Sequence, residues 1–180
     1  MRRSSSTEAI VLKRTNVGEA DRVVTLFTQD QGKLTAVAKG ARKLSSSKRA
    51  FLEPGNHIKC LLISTSSMPL LTQATLVDDC QAAHQSLPKM RQLVQVLEII
   101  DTVFVEEQID EDTFEAVIEL RNLVVKGTTP ARIIRQKLEE MLMNLGYQNP
   151  KDSKYPTILE YVSAIADKPM KSWDYLKVKE

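Results

Sequence analysis

The sequence predicts an α+β chain of two units: a small five-stranded barrel over residues 1–79 and an all-helical domain over residues 80–180. Three observations carry this reading. Apolar residues recur with a period of two as far as Val77, and with a period near 3.6 after Asp78-Asp79. Five short runs, several rich in β-branched residues, are separated by Gly, Pro, Asn and Ser punctuation. Charge divides at the same place. Residues 1–80 carry 12 Lys and Arg against 7 Asp and Glu, and residues 81–180 carry 13 against 16, so a net +5 precedes a net −3.

The strands follow from the punctuation. Residues 1–6 are expected to fray. Thr7 to Arg14 is the first strand, closed by Asn16-Val17-Gly18. Asp21 to Thr28 is the second, and Asp30-Gln31-Gly32 fits a hairpin loop with glycine in the left-handed position. Lys33 to Lys39 is the third, with Leu34, Ala36 and Ala38 on one face and Lys33, Thr35, Val37 and Lys39 on the other. His57 to Ser64 and Leu70 to Val77 are the fourth and fifth. Among small barrels the OB-fold is the first expectation, and an SH3-like barrel of similar strand count stays open.

Between the third and fourth strands lies the most pointed stretch of the chain. From Lys33 to Arg49 there are six basic residues and no acid. Gly40 permits a tight exit from the strand, and the Ser-rich remainder reads as a mobile loop. A strand that delivers a basic loop to solvent is suited to phosphate; a loop made basic for solubility is the alternative.

After Asp79 the helices follow. Met90, Leu93, Val94, Leu97, Ile100 and Phe104 form one stripe and Val96, Ile99 and Val103 a second, which suggests a central helix. Asp112 with Glu115 matches a capping box for a helix ending at Gly127. Thr129-Pro130 opens a helix closed by Gly146, Thr157 to Asp167 forms another, and Lys171 to Lys177 a last short one.

Composition and motifs exclude several classes. With 42% hydrophobic and 27% charged residues, the chain is ordinary for a soluble domain. No apolar run reaches the roughly 18 residues of a membrane span, and no apolar signal core follows Met1-Arg2-Arg3, so a cytoplasmic location is expected. Cys60 and Cys80 lack ligand-spaced partners and read as reduced core residues rather than zinc ligands. There is no GxxxxGK[ST] or GxGxxG loop. A Cys60–His57 nucleophile would lack an orienting third group. The acids Glu106, Glu107, Asp110, Glu111 and Asp112 lack the spacing and central Gly of a calcium loop, and read as a solvated helix start. No catalytic site and no cofactor are expected.

Residues 8 to 77 resemble the N-terminal domain of the RecO family. The likeness runs through Glu8-Ala9-Ile10-Val11-Leu12, Gly18-Glu19-Ala20-Asp21, Leu26-Phe27-Thr28 and Gly32-Lys33 to Val37-Ala38-Lys39-Gly40-Ala41-Arg42-Lys43, then Ser47, Leu52 and Pro54. Leu145-Gly146-Tyr147 and Lys168-Pro169-Met170-Lys171-Ser172 are similar to segments of the family's helical domain. One departure is clear: about 20 cysteine-free residues separate Tyr147 from Lys168, where many members insert a zinc-finger-like module. Zinc is therefore not carried over, and the chain reads as a short variant. The resemblance implies an OB-fold that binds single- and double-stranded DNA, anneals complementary strands and helps load the RecA recombinase. It implies RecR and the acidic tail of single-stranded DNA-binding protein as partners.

Joining the residues to the resemblance gives a non-enzymatic DNA repair mediator. The candidate phosphate contacts are Lys39, Arg42, Lys43, Lys48 and Arg49, supported by Lys33, Arg14 and Arg22. Phe27 reads as core and Phe51 as the one plausible base-stacking ring. The candidate seat for a partner's acidic tail is Arg121, Arg132, Ile133 and Arg135, with Ile134 and Leu138 as apolar surface. Two rivals stand beside this: a protein–protein adaptor for acidic partners, and an RNA-binding barrel.

Overall fold

The structure, a computed structural model, describes residues 4–105 and 109–172. It is an α+β chain: five strands, β1 (Ser4–Val17), β2 (Asp21–Thr28), β3 (Gly32–Ala38), β4 (His57–Ile63) and β5 (Leu70–Asp78), precede the main helices. A single helical turn, α1 (Lys48–Phe51), interrupts them. Then come α2 (Gln81–His84), α3 (Leu87–Val103), α4 (Glu111–Lys126), α5 (Ala131–Asn144) and α6 (Ile158–Ile165). By contacts the chain divides into two compact units: Met1–Cys80 with Phe104–Phe114, and Gln81–Val103 with Glu115–Glu180.

In the first unit the strands pair in the order β1-β2-β3-β5-β4, and β4 pairs back onto β1 to close the ring. All pairings are antiparallel except the brief parallel bridge Val37↔Leu70 between β3 and β5. The alternation expected for β3 is what burial shows: Leu34, Ala36 and Ala38 are buried, and Lys33, Thr35 and Val37 only partly so. With Ala9, Val11, Val24, Leu26, Ile58, Cys60, Leu62, Leu71 and Ala74 they form the core, which also takes in Ala41 and Leu52 from the basic stretch. Ile10 and Phe27 pair directly across β1 and β2 and are also fully buried, although they alternate with inward residues. The reason is two rings from later in the chain: Phe27 lies 4.7 Å from the Phe104 ring and 6.1 Å from the Phe114 ring.

Two expectations need correction here. Ser4–Ser6 do not fray; they pair with Ile63, Leu62 and Leu61, because β4 is long enough to offer them partners. The basic stretch is not untethered, since its ends are held in the core and its middle forms α1. His57 is a partly buried strand residue of β4, and its Nε2 lies 3.0 Å from Glu8 Oε2. Cys60 is buried, and burial pushes its thiol up to about 11, leaving it without thiolate at neutral pH.

In the second unit α3 buries Leu93, Gln95, Val96, Leu97, Ile99, Ile100 and Val103. Met90 and Val94, expected in its stripe, are exposed. The cap of α4 is Asp110, whose Oδ1 accepts the Thr113 N–H at 2.7 Å, not Asp112, which falls inside the first turn. For α5 the N-cap is Pro130 itself, one residue later than expected. Helix α5 ends in a Schellman turn: the Gly146 N–H bonds Met143 O and the Tyr147 N–H bonds Leu142 O, with Gly146 at φ +87°. Helix α6 is shorter than read; Thr157 is its cap, accepting from the Glu160 N–H at 3.2 Å. The expected last helix, Lys171 to Lys177, lies outside the described residues except for its first two.

Candidate functional site

The basic stretch leaves β3 at Ala38 and is tied down at once. Gly40 stands at φ +64°, and its N–H donates to Asp21 Oδ1 at 2.8 Å. Two residues on, the Arg42 N–H donates to Ala20 O at 2.9 Å and its Nη1 to Gly18 O at 2.6 Å. The stretch is thus laced to the turn between β1 and β2. At its far side Lys48 Nζ donates to Lys39 O at 3.0 Å and to Thr72 O at 3.4 Å, closing the loop on itself and onto β5.

Helix α1 is too short to satisfy its own carbonyls. Side chains from the closed sheet and its turns do so instead. Arg22 Nη1 donates to Arg49 O at 2.9 Å, and Asn56 Nδ2 donates to Ala50 O at 3.2 Å and Phe51 O at 3.1 Å. The carbonyl of Asn56 in turn accepts the Cys80 N–H at 3.1 Å.

This sorts the eight candidate cations. Lys39, Lys43 and Arg49 are exposed and their side chains have no partner among the described residues. Arg42 and Lys48 are half-buried and donate to the backbone. Arg22 is only 6% exposed and is fully enclosed by its bonds to Arg49 O and Asn16 Oδ1 and by Glu53 at 3.7 Å. Burial, then the nearby Arg14, holds the Arg22 guanidinium below the usual arginine range, with Glu53 working the other way. Arg14 is paired with Glu53 at 2.7 Å. Lys33 is not with the others: it sits six residues before Lys39 along the strand, about 20 Å away, opposite Phe27. Neither aromatic ring offers a platform, because Phe27 is buried and Phe51 packs against the core.

Sequence reasoning missed Asp21 and Asn56, which hold the loop, and the exposed Lys13 and Lys59 on the strands. An Asn just after Pro54-Gly55 was a signal for Asn56, since such residues feed their amides to local backbone.

The second candidate group does not assemble as expected. Arg121 is fully buried, with Nη1 2.8 Å from Asn122 Oδ1, so it lines no surface groove. Ile134 and Leu138 are buried as well. Arg132 is exposed, Ile133 is half-buried, and Arg135 Nε lies 3.8 Å from the buried Glu139. Elsewhere in this unit Tyr155, Leu159, Glu160, Pro169, Met170 and Ser172 are among the residues that line an open hollow of about 560 Å³. Among the described residues no group of three or more His, Cys, Asp or Glu is placed to hold a metal ion, and no helix is long and apolar enough to cross a membrane.

Fold and site define a class: an α+β protein whose closed five-stranded sheet presents a backbone-anchored cationic loop. Residues 1–79 match the family model described as "Recombination protein O N terminal". The chain is 36% identical over 94 residues to the DNA repair protein RecO of Heliobacterium modesticaldum, covering 52% of this chain and 34% of that one. It is 30% identical over 142 residues to the RecO of Syntrophomonas wolfei, covering 78% and 56%, and 32% identical over 114 residues to that of Salinibacter ruber, covering 62% and 44%. The chain belongs to the RecO family, and it spans between about a third and just over half of the length of these relatives.

Proposed function

We propose that the closed sheet is an OB-type DNA-binding domain over residues 1–79, and that the chain is a non-enzymatic mediator of DNA repair and recombination. In this reading it binds single- and double-stranded DNA, promotes annealing and helps load recombinase on strands coated with single-stranded DNA-binding protein. The observation that carries it is the loop: Lys39, Lys43 and Arg49 point three uncompensated charges to solvent from a backbone fixed at both ends. With no aromatic platform on the loop, recognition is electrostatic and weakly sequence-selective. The relatives' name, DNA repair protein, supports the same reading.

Residues 80–180 are then the partner domain, meeting a RecR-type mediator and the acidic tail of single-stranded DNA-binding protein. Such a tail needs an apolar seat and cations for its carboxylates. Arg132 with Ile133 and Arg135 is the candidate seat. The test is annealing of complementary strands coated with single-stranded DNA-binding protein. Added chain should accelerate annealing, and an unchanged rate would remove the mediator reading.

A further inference from the structure

We propose that Asp21 and Arg22 are positioning residues that clamp the two ends of the cationic loop and themselves meet no phosphate. The inference rests on the DNA-binding reading above and says which residues of the basic surface grip and which hold the grip in place. The two neighbours sit at the start of β2, with Arg22 opposite Ala38, the last residue of β3. Asp21 takes the loop at its entry, accepting the Gly40 N–H at 2.8 Å. Arg22 takes it at its exit, donating to Arg49 O at 2.9 Å. The same guanidinium reaches Asn16 Oδ1 at 3.4 Å and Glu53 at 3.7 Å, so one rigid fork joins the end of β1, the turn α1 and the turn after it. A four-residue helix does not hold by itself. Without these anchors Lys39, Lys43 and Arg49 would have to be ordered anew at each binding event, and that ordering weakens affinity.

Charge arithmetic and positioning make opposite forecasts for Asp21. Removing an acid from a basic surface should tighten DNA binding if charge alone matters. If Asp21 holds Gly40, its removal weakens binding. The experiment measures duplex affinity as a function of salt for Asp21→Ala, Asp21→Asn, Arg22→Lys and Lys39→Ala/Lys43→Ala/Arg49→Ala, with melting curves confirming that each folds. Asp21→Ala is expected to bind about tenfold more weakly, with the log–log salt slope unchanged, and Asp21→Asn to recover because its Oδ1 still accepts. Arg22→Lys keeps the charge but loses the fork, and is expected to weaken binding similarly without changing the slope. Tighter or unchanged binding by Asp21→Ala overturns the proposal, and so does wild-type affinity in Arg22→Lys. If Arg22→Lys fails to fold, Asp21→Ala decides the matter alone. Failure of the DNA reading itself looks different: the triple variant would then keep wild-type affinity and slope.

Discussion

In the first unit Arg22, Arg42 and Lys48 give hydrogens to backbone carbonyls; in the second, Arg135, Lys137 and Lys151 face the carboxylates of Glu139, Glu119 and Glu140. The residue types are the same and the outcome is opposite. A cation on a carbonyl is immobilised yet keeps its charge, whereas a cation on a carboxylate is neutralised. Glu53, shared by Arg14 and Arg22, is the acid that offsets this in the loop's surroundings. Lys39, Lys43 and Arg49 therefore keep their charge on a tethered loop, whereas Arg135, Lys137 and Lys151 are spent on acids of their own unit. The net +5 of residues 1–80 and −3 of residues 81–180 do not show this, because five acids of residues 104–114 belong to the first unit and a count cannot separate an anchored charge from a neutralised one.

Removing the carbonyl acceptance in the first unit should have the largest effect on stability. Asn56→Ala strips Ala50 O, Phe51 O and the Cys80 N–H of their side-chain partner, and is expected to cost about 2 kcal/mol. Urea unfolding checks this as a lower midpoint at unchanged m. A midpoint equal to wild type would mean that α1 stands without its anchors.

A smaller effect sharpens the other side. Burial opposes the ionised form of Glu98, but the nearby Ser172 side chain and hydrogen bonds from the Lys171 and Ser172 N–H groups outweigh it, and its pKa is lowered. A carboxyl depressed in the folded state contributes stability that is present above its unfolded pKa, about 4.3, and is lost as pH falls through the folded value. The melting temperature should therefore drop on acidification below about pH 4.3, and Glu98→Gln should show a shallower drop. Parallel curves for the two proteins would remove Glu98 as the cause.

Much of the first unit was legible because its pattern is local. The period-two alternation from Leu34 to Ala38 and the glycines at 32 and 40 fix strand and turn with few alternatives. The loop's basic residues were legible too, but not their division of labour. Whether an arginine grips or anchors depends on acceptors 20 or more positions away: Arg22 meets Arg49 O, and Arg42 meets Gly18 O. Nothing in the spacing marks those pairs. The return of Phe104 and Phe114 to Phe27 was hidden for the same reason: Phe104 read as an ordinary member of a helical stripe, and nothing in the spacing singled out Phe114. Arg121 shows the converse limit. It was grouped with Arg132 and Arg135 as part of a surface seat, and burial put it inside.

The central claim is that the carbonyl-anchored loop, and not the carboxylate-paired cations, carries the phosphate grip. Duplex affinity measured against salt for three proteins tests it directly: wild type, Lys39→Ala/Lys43→Ala/Arg49→Ala, and Lys137→Ala/Lys151→Ala. The loop variant should lose up to about 0.9 in log–log slope per contact removed, and the paired-lysine variant should keep the wild-type slope. Equal losses in the two variants, or a wild-type slope in the loop variant, would contradict the account.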